Sequence, residues 1–496
     1  MKMNTRYSNY ILALGAAAVM ASCSGSHSYT NTIDVDTPPS IWPDYMETTI
    51  PCGIAPMNFN YTGNAYNWLI LEIKGSVSGE ISMEGKHVDI DIDEWHRITE
   101  ANKGGQLNFK LSIISGSDRY DFKEFPIYVS GEPLGQYGLT YRLVEPGYVG
   151  FSKMGIYERN LSNFDEKAIF VTTEATNSCV NCHTPNRTNS SQATFHVRGD
   201  NGFTFVKNGD SCHAYNLKTD KTISGGVYPY WHPSGRYIAY SNNKTYQVFH
   251  TAHKNRIEVF DQNSDLMIFD VEKQEVILSP EVMRDTIAET FPAFSPDGNT
   301  LYYCQSVKPQ HLMYLEDIRY CLMKADFDPG TGRVSHPEIL LAIPGKSVTL
   351  PRPSYDGKYL MATIADYGTF PIWHHEADLI MIDLQNKDTL NVYPANGLNS
   401  TETESFHNWS ANSKWVVFSS RRDGDGLYTR LYLSQVTDSG TFTKPFILPQ
   451  KNPVRYYNDL FYSYNTPDFC DKPFDVSAIE LRRIANSHER ESVKAR

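Results

Sequence analysis

The sequence predicts an all-β protein: an N-terminal β-sandwich, then a β-propeller, with a motif-bearing loop between them. Three observations carry that expectation. A strand–turn–strand unit recurs through the second half of the chain. The 32 Tyr, 24 Phe, 32 Gly and 27 Pro suit short strands punctuated by turns. The apolar spacing of three and four that marks an amphipathic helix is absent from the repeats.

The first copy of the repeat is Trp231-His232-Pro233-Ser234-Gly235-Arg236-Tyr237 and the second is Phe294-Ser295-Pro296-Asp297-Gly298-Asn299-Thr300. Pro353-Ser354-Tyr355-Asp356-Gly357-Lys358-Tyr359 is the third, and Trp409-Ser410-Ala411-Asn412-Ser413-Lys414-Trp415 is a degenerate fourth. Gly235, Gly298, Gly357 and Ser413 stand 63, 59 and 56 residues apart. Each copy reads as a strand, a tight turn that needs a residue at positive φ, and a second strand. Another strand follows, as at 266–270 and 379–384. Four antiparallel strands per unit at a near-fixed period are the signature of propeller blades.

The flanking regions follow in order. Lys2 and Arg6 precede an apolar run from Tyr10 to Met20, with Ala21, Ser22 and Cys23 after it. That pattern is a signal peptide over 1–22, and its ending resembles a bacterial lipobox in which Cys23 is lipidated. The Ser/Thr/Pro-rich stretch 23–45 is a linker. Residues 46–147, with runs such as Leu69–Ile73 and Leu107–Ile114, suit a small sandwich. Residues 148–197 are expected as a loop insertion, 198–475 as the propeller and 476–496 as a C-terminal tail. With 45 Lys and Arg against 57 Asp and Glu, the net charge of −12 argues against nucleic acid as a partner. The expected location is the outer membrane, lipid-anchored and facing the periplasm.

Chemistry concentrates at Ser178-Cys179-Val180-Asn181-Cys182-His183-Thr184, which contains Cys-x-x-Cys-His, the attachment signature of c-type haem. Two thiols at this spacing reach both vinyl groups of a porphyrin, and His183 is then the proximal iron ligand. A structural zinc site and a thiol–disulfide pair are the rival readings. Zinc would want a second pair of ligands, and a redox pair would want a thioredoxin-like βαβ pattern. His196 is the first candidate for distal ligand, with Met154 and His213 in reserve. Arg198 suits a haem propionate or a structural salt bridge.

Cys304 and Cys321 could bridge, or remain free thiols. His374, His375, Glu376 and Asp378 form a polar cluster, but adjacent strand histidines face opposite ways, which favours a structural role or a propeller-mouth contact over a metal. No Gly-x-Ser-x-Gly elbow, Walker loop or dinucleotide fingerprint occurs. Segments leading into the repeats mix aromatic and polar residues, so Glu289, Glu404 and His407 are expected to converge, solvent-reachable, at a propeller mouth.

The Ser295–Gly298 turn resembles that of TolB-type propellers. The chain as a whole, over about residues 40–470, resembles a family of Bacteroides-group lipoproteins with a sandwich, a Cys-x-x-Cys-His segment and a TolB-like propeller. The segments that carry this are 50–56, Tyr141-Arg142-Leu143-Val144-Glu145-Pro146-Gly147-Tyr148, Cys179–His183, Phe195-His196-Val197-Arg198-Gly199, 372–378 and 419–424. The resemblance implies predicted haem attachment and little about a reaction. The expected function is therefore an envelope lipoprotein with covalent haem c, transferring electrons to a redox partner docked on the propeller. The alternative is a propeller that binds or assembles envelope proteins, with the cysteine motif structural or sensory. An enzyme acting at the iron or in the channel is a third reading, with no catalytic residue to name.

Overall fold

The computed structural model describes residues 29–145, 154–174, 178–199, 201–308, 315–386, 388–423, 426–487 and 489–496. The leader, Cys23 and the expected boundary at 147–148 lie outside the described residues.

Six four-stranded units follow one another from Gly138 to Cys470. The second to sixth blades begin with inner strands Ser178–Asn186, Gly226–Trp231, Ile287–Phe294, Ser347–Pro353 and Glu404–Trp409. The first blade is composite: Gly138–Val144, Gly155–Asn160 and Glu166–Val171 are joined by Ser463–Cys470 from the far end of the chain. These six inner strands pack in turn around the axis, and the late strand closes the ring. The fold is a six-bladed β-propeller.

The four repeats are the third to sixth blades, and their turns have the expected backbone. Gly235, Gly298 and Gly357 have φ of 73°, 77° and 75°, and Ser413 takes the same region at 57°. The other residues of the repeat also have a physical task. Ser295 Oγ accepts from the Thr300 amide at 3.0 Å, while Asp297 accepts from the Asn299 amide at 3.1 Å. Ser354 with Asp356 and Ser410 with Asn412 repeat the arrangement.

Three expectations about domains need correction. The propeller starts at 138 rather than 198, because the first two blades lack this turn chemistry. Residues 148–197 are no loop insertion, since described strands of both those blades run through them. In place of a sandwich, residues 31–129 form a seven-stranded sheet of mixed pairing. Helix α1 (Ile92–Ala101) packs on it, capped by Asp91, whose Oδ1 accepts from the Asp93 and Glu94 amides at 3.0 Å each. It buries Trp95 and Ile98, so a helix supplies the cover that a second sheet would have given.

The sheet's core continues into the first and last blades, uniting Leu71 and Trp95 with Trp415 and Phe469. After the sixth blade, α2 (Pro453–Asp459) precedes the closing strand and α3 (Ala478–Asn486) follows it. The expected tail also adds short parallel strands, Glu491–Ser492 and Lys494–Ala495, to the second and third blades. No helix among the described residues is long and apolar enough to cross a membrane.

Candidate functional site: the axial cavity

Every inner strand carries one residue at positive φ: Cys182, Tyr228, Phe291, Leu350, Phe406 and Thr466. The strand register slips at each of these points, so each is a bulge that turns the strand toward the axis. In four blades the next residue is proline: Pro229, Pro292, Pro351 and Pro467. A bulge tolerates proline because ladder pairing is already interrupted there. The other two blades have His183 and His407. The Cys-x-x-Cys-His motif thus lies on an inner strand rather than a loop, with Cys182 as its bulge. Within the expected loop, residues 184–191 are a hairpin joining two paired strands.

Cys179 and Cys182 both line a cavity of about 860 Å³ on the axis. Arg142, Arg198, Tyr228, Phe370, Trp373 and Phe406 line it too. Met154 Sδ lies 3.1 Å from Cys179 Sγ. Burial pushes both thiols up, against the lowering effect of Arg142 and Arg198. One wall comes from the hairpin Tyr237–Phe249 and Ile257–Asp270, whose 13- and 14-residue strands outrun the second strands of the second blade, 11 residues, and of the fourth to sixth blades, 6 to 8. Tyr246, Gln247 and Val259 on its extension reach the cavity.

His183 does not share that space. It lies with His407, Arg352 and Asp468 around a separate void of about 40 Å³, and Cys182 borders both. Its Nε2 is 3.9 Å from Asp468 Oδ2. Among the described residues, none of the ring nitrogens of His183 and His407 finds a partner at normal hydrogen-bond geometry. Burial pushes both imidazoles down to about 3, so both are neutral. Burial also pushes Asp468 up to about 7, although Arg352 opposes it and Asn408 donates to it. No three His, Cys, Asp or Glu side chains among the described residues are grouped to hold a metal ion.

The other sequence candidates are dispersed. His196 pairs across the ladder with Asn181, but its ring lines a second cavity of about 450 Å³ and contacts Thr204 Oγ1 at 3.1 Å. Burial pushes it down to about 3. His213 contacts Glu491 at 2.7 Å. Arg198 forms no salt bridge among the described residues, and its charge acts on the thiols, Tyr228 and Asp261 without direct contact.

The expected solvent-reachable trio does not form. Glu289 and Glu404 are fully buried and paired to arginines of their own blades, Arg284 at 2.9 Å and Arg422 at 2.8 Å. Burial pushes Glu289 up to about 7 in spite of Arg284. Strand-start carboxylates staple these blades internally, and of the three only His407 reaches the axial void. His374 contacts Glu258 and Glu376 at 3.1 and 3.2 Å, while His375 contacts Glu402 at 3.0 Å. Cys304 and Cys321 are free thiols, as are the other described cysteines.

No family model matches the chain, and no curated protein matches it. Among solved structures it is similar to a putative TolB from Agrobacterium tumefaciens, with 13% identity and a TM-score of 0.37 over 67% of this chain and 98% of that one. It is also similar to a protein from Lactobacillus plantarum, with 12% identity and a TM-score of 0.36 over 67% and 99%. A DUF4784 family protein from Bacteroides caccae gives 7% and 0.32 over 86% and 96%. These scores are low. The six-bladed architecture rests on the strand order, not on the likenesses.

Proposed function

We propose that the chain is an exported, lipid-anchored propeller protein that carries covalent c-type haem on Cys179 and Cys182 and exchanges electrons with an envelope partner. One observation carries the reading: both thiols of the motif border a single axial cavity large enough for a bulky ligand. Arg142 and Arg198 supply cations there for a ligand's carboxylates, and Tyr228, Phe370 and Trp373 supply an apolar bed. Fit is incomplete at one point. His183 faces the smaller void, so the residues present would suit attachment through the two thiols but not ligation of the iron by His183.

When bound, haem supplies reversible one-electron exchange at its iron. The chain's own part is to hold and enclose it. Cys179 and Cys182 provide the bonds, and the long hairpin walls the cavity on one side. Maturation with c-type attachment machinery is the test. Wild-type chain should keep its haem stain after denaturing electrophoresis, and Cys182→Ala should lose most of it. A wild-type chain that never stains contradicts the reading.

A second reading has its own support. Among the described residues Arg142 Nε, Glu145 Oε2, Asn465 Oδ1 and Thr466 Oγ1 are buried without hydrogen-bond partners, and all four residues line the same cavity. Unsatisfied buried polar atoms are costly, and a polar ligand would satisfy them. A binding propeller of the envelope would use the cavity in this way.

A further inference from the structure

The cavity has a charge pattern that thiol attachment does not use. Arg198 has no hydrogen bond or ion pair among the described residues, and Arg142 bonds only to Asn181 while its Nε stays unpartnered. Both guanidinium groups act electrostatically on the Cys179 thiol and on the Tyr228 hydroxyl, so their charges converge on one region. Among the described residues no carboxylate forms an ion pair with either arginine, and Asp261 acts on Arg198 only at a distance. Glu145 lines the cavity but pairs with neither arginine, and Asp261 is held by Asn243 and Thr245 at 2.6 and 2.7 Å. Both arginines are half-buried at the cavity wall, and a guanidinium fork matches a carboxylate in shape and charge. Next to them the lining is aromatic: Tyr228, Phe370, Trp373 and Phe406.

We infer that the cavity binds a planar aromatic carboxylate, its acid group on Arg142 and Arg198 and its ring against Tyr228, Phe370 and Trp373. This uses the cavity of the proposed function but not its covalent chemistry.

The test takes the full chain from cells without attachment machinery and titrates it calorimetrically with 2-naphthoate and with the neutral 2-naphthamide. The acid should bind saturably and at least tenfold more tightly than the amide, a preference within the range of one charge-assisted bidentate pair. Arg198→Gln should erase the preference while leaving amide binding unchanged. Where Arg198→Gln does not fold, Arg142→Gln is read in the same way. Equal binding of acid and amide, or an unaltered preference in the folded variant, overturns the inference. A chain that never stains for haem yet prefers the acid contradicts the covalent reading alone. A chain that stains but shows no preference contradicts this one alone.

Discussion

The extended hairpin that walls the cavity is held by a buried charge cluster, and its strength can be measured. His374, 1% exposed, contacts Glu258 on the hairpin at 3.1 Å and Glu376 at 3.2 Å. Tyr367 also donates to Glu258. Burial alone would lower the imidazole's pKa, but the two carboxylates outweigh it and push it up to about 9. The rise from 6.5 to about 9 corresponds to about 3 kcal/mol of stabilisation. Because the folded-state pKa is the higher one, that contribution is complete below about pH 6.5 and fades as pH rises through about 9. Hydrogen exchange followed by mass spectrometry, corrected for intrinsic rates, reads it locally. In His374→Gln at about pH 6, hairpin amides between 245 and 261 should exchange roughly a hundredfold faster than in wild type. The ratio should shrink toward one at about pH 10. A ratio that stays constant across that range refutes the cluster's role.

Other perturbations have equally definite outcomes. Gly298→Ala places a Cβ within 2.3 Å of His232 Nε2 at a φ of 77°. It should cost about 1–3 kcal/mol and lower the melting temperature, whereas an unchanged melt would contradict the turn geometry. Removing 463–496 takes away the strand that closes the ring, and the truncated chain should lose cooperative unfolding; a sharp transition of undiminished size would show that closure is dispensable. Cys23→Ser should move the chain from the membrane to the soluble fraction or block its processing. A variant processed and partitioned like wild type would refute the anchor.

Most of the propeller was legible in the sequence because its turns make local demands. A positive φ and a serine–aspartate pair that caps the same turn leave a short, regular pattern, as at 295–298 and 354–357. The first two blades escaped because their hairpins use other turns, and one of them is assembled from both ends of the chain. No local pattern announces a strand at 463–470 that pairs with one at 138–144. The motif stood out by its residue types, but its place in the structure did not. Periodicity cannot show that Cys182 is a bulge, and its equivalence to Tyr228 and Phe406 emerges only from the ring. Once the six inner strands are aligned, His183 and His407 stand where the other blades have proline. Arg142 was visible only as part of a longer segment, and Trp373 ends a short helical turn, Pro371–Trp373, whose approach to the cavity is a long-range matter. Glu289 and Glu404 illustrate the opposite error. An acidic residue ahead of an inner strand suggested an open mouth, but a nearby arginine in the same blade, Arg284 or Arg422, holds each one inside.

The central claim is that Cys179 and Cys182 carry a covalent cofactor in the axial cavity. Intact mass spectrometry of the chain matured with c-type attachment machinery tests it most directly, with fragmentation across 179–182 to place any added mass. The account predicts the processed chain plus one haem, with the addition confined to those two cysteines and lost in the Cys179→Ala, Cys182→Ala double variant. Wild-type chain of unmodified mass over this segment, with both thiols open to alkylation, would contradict it.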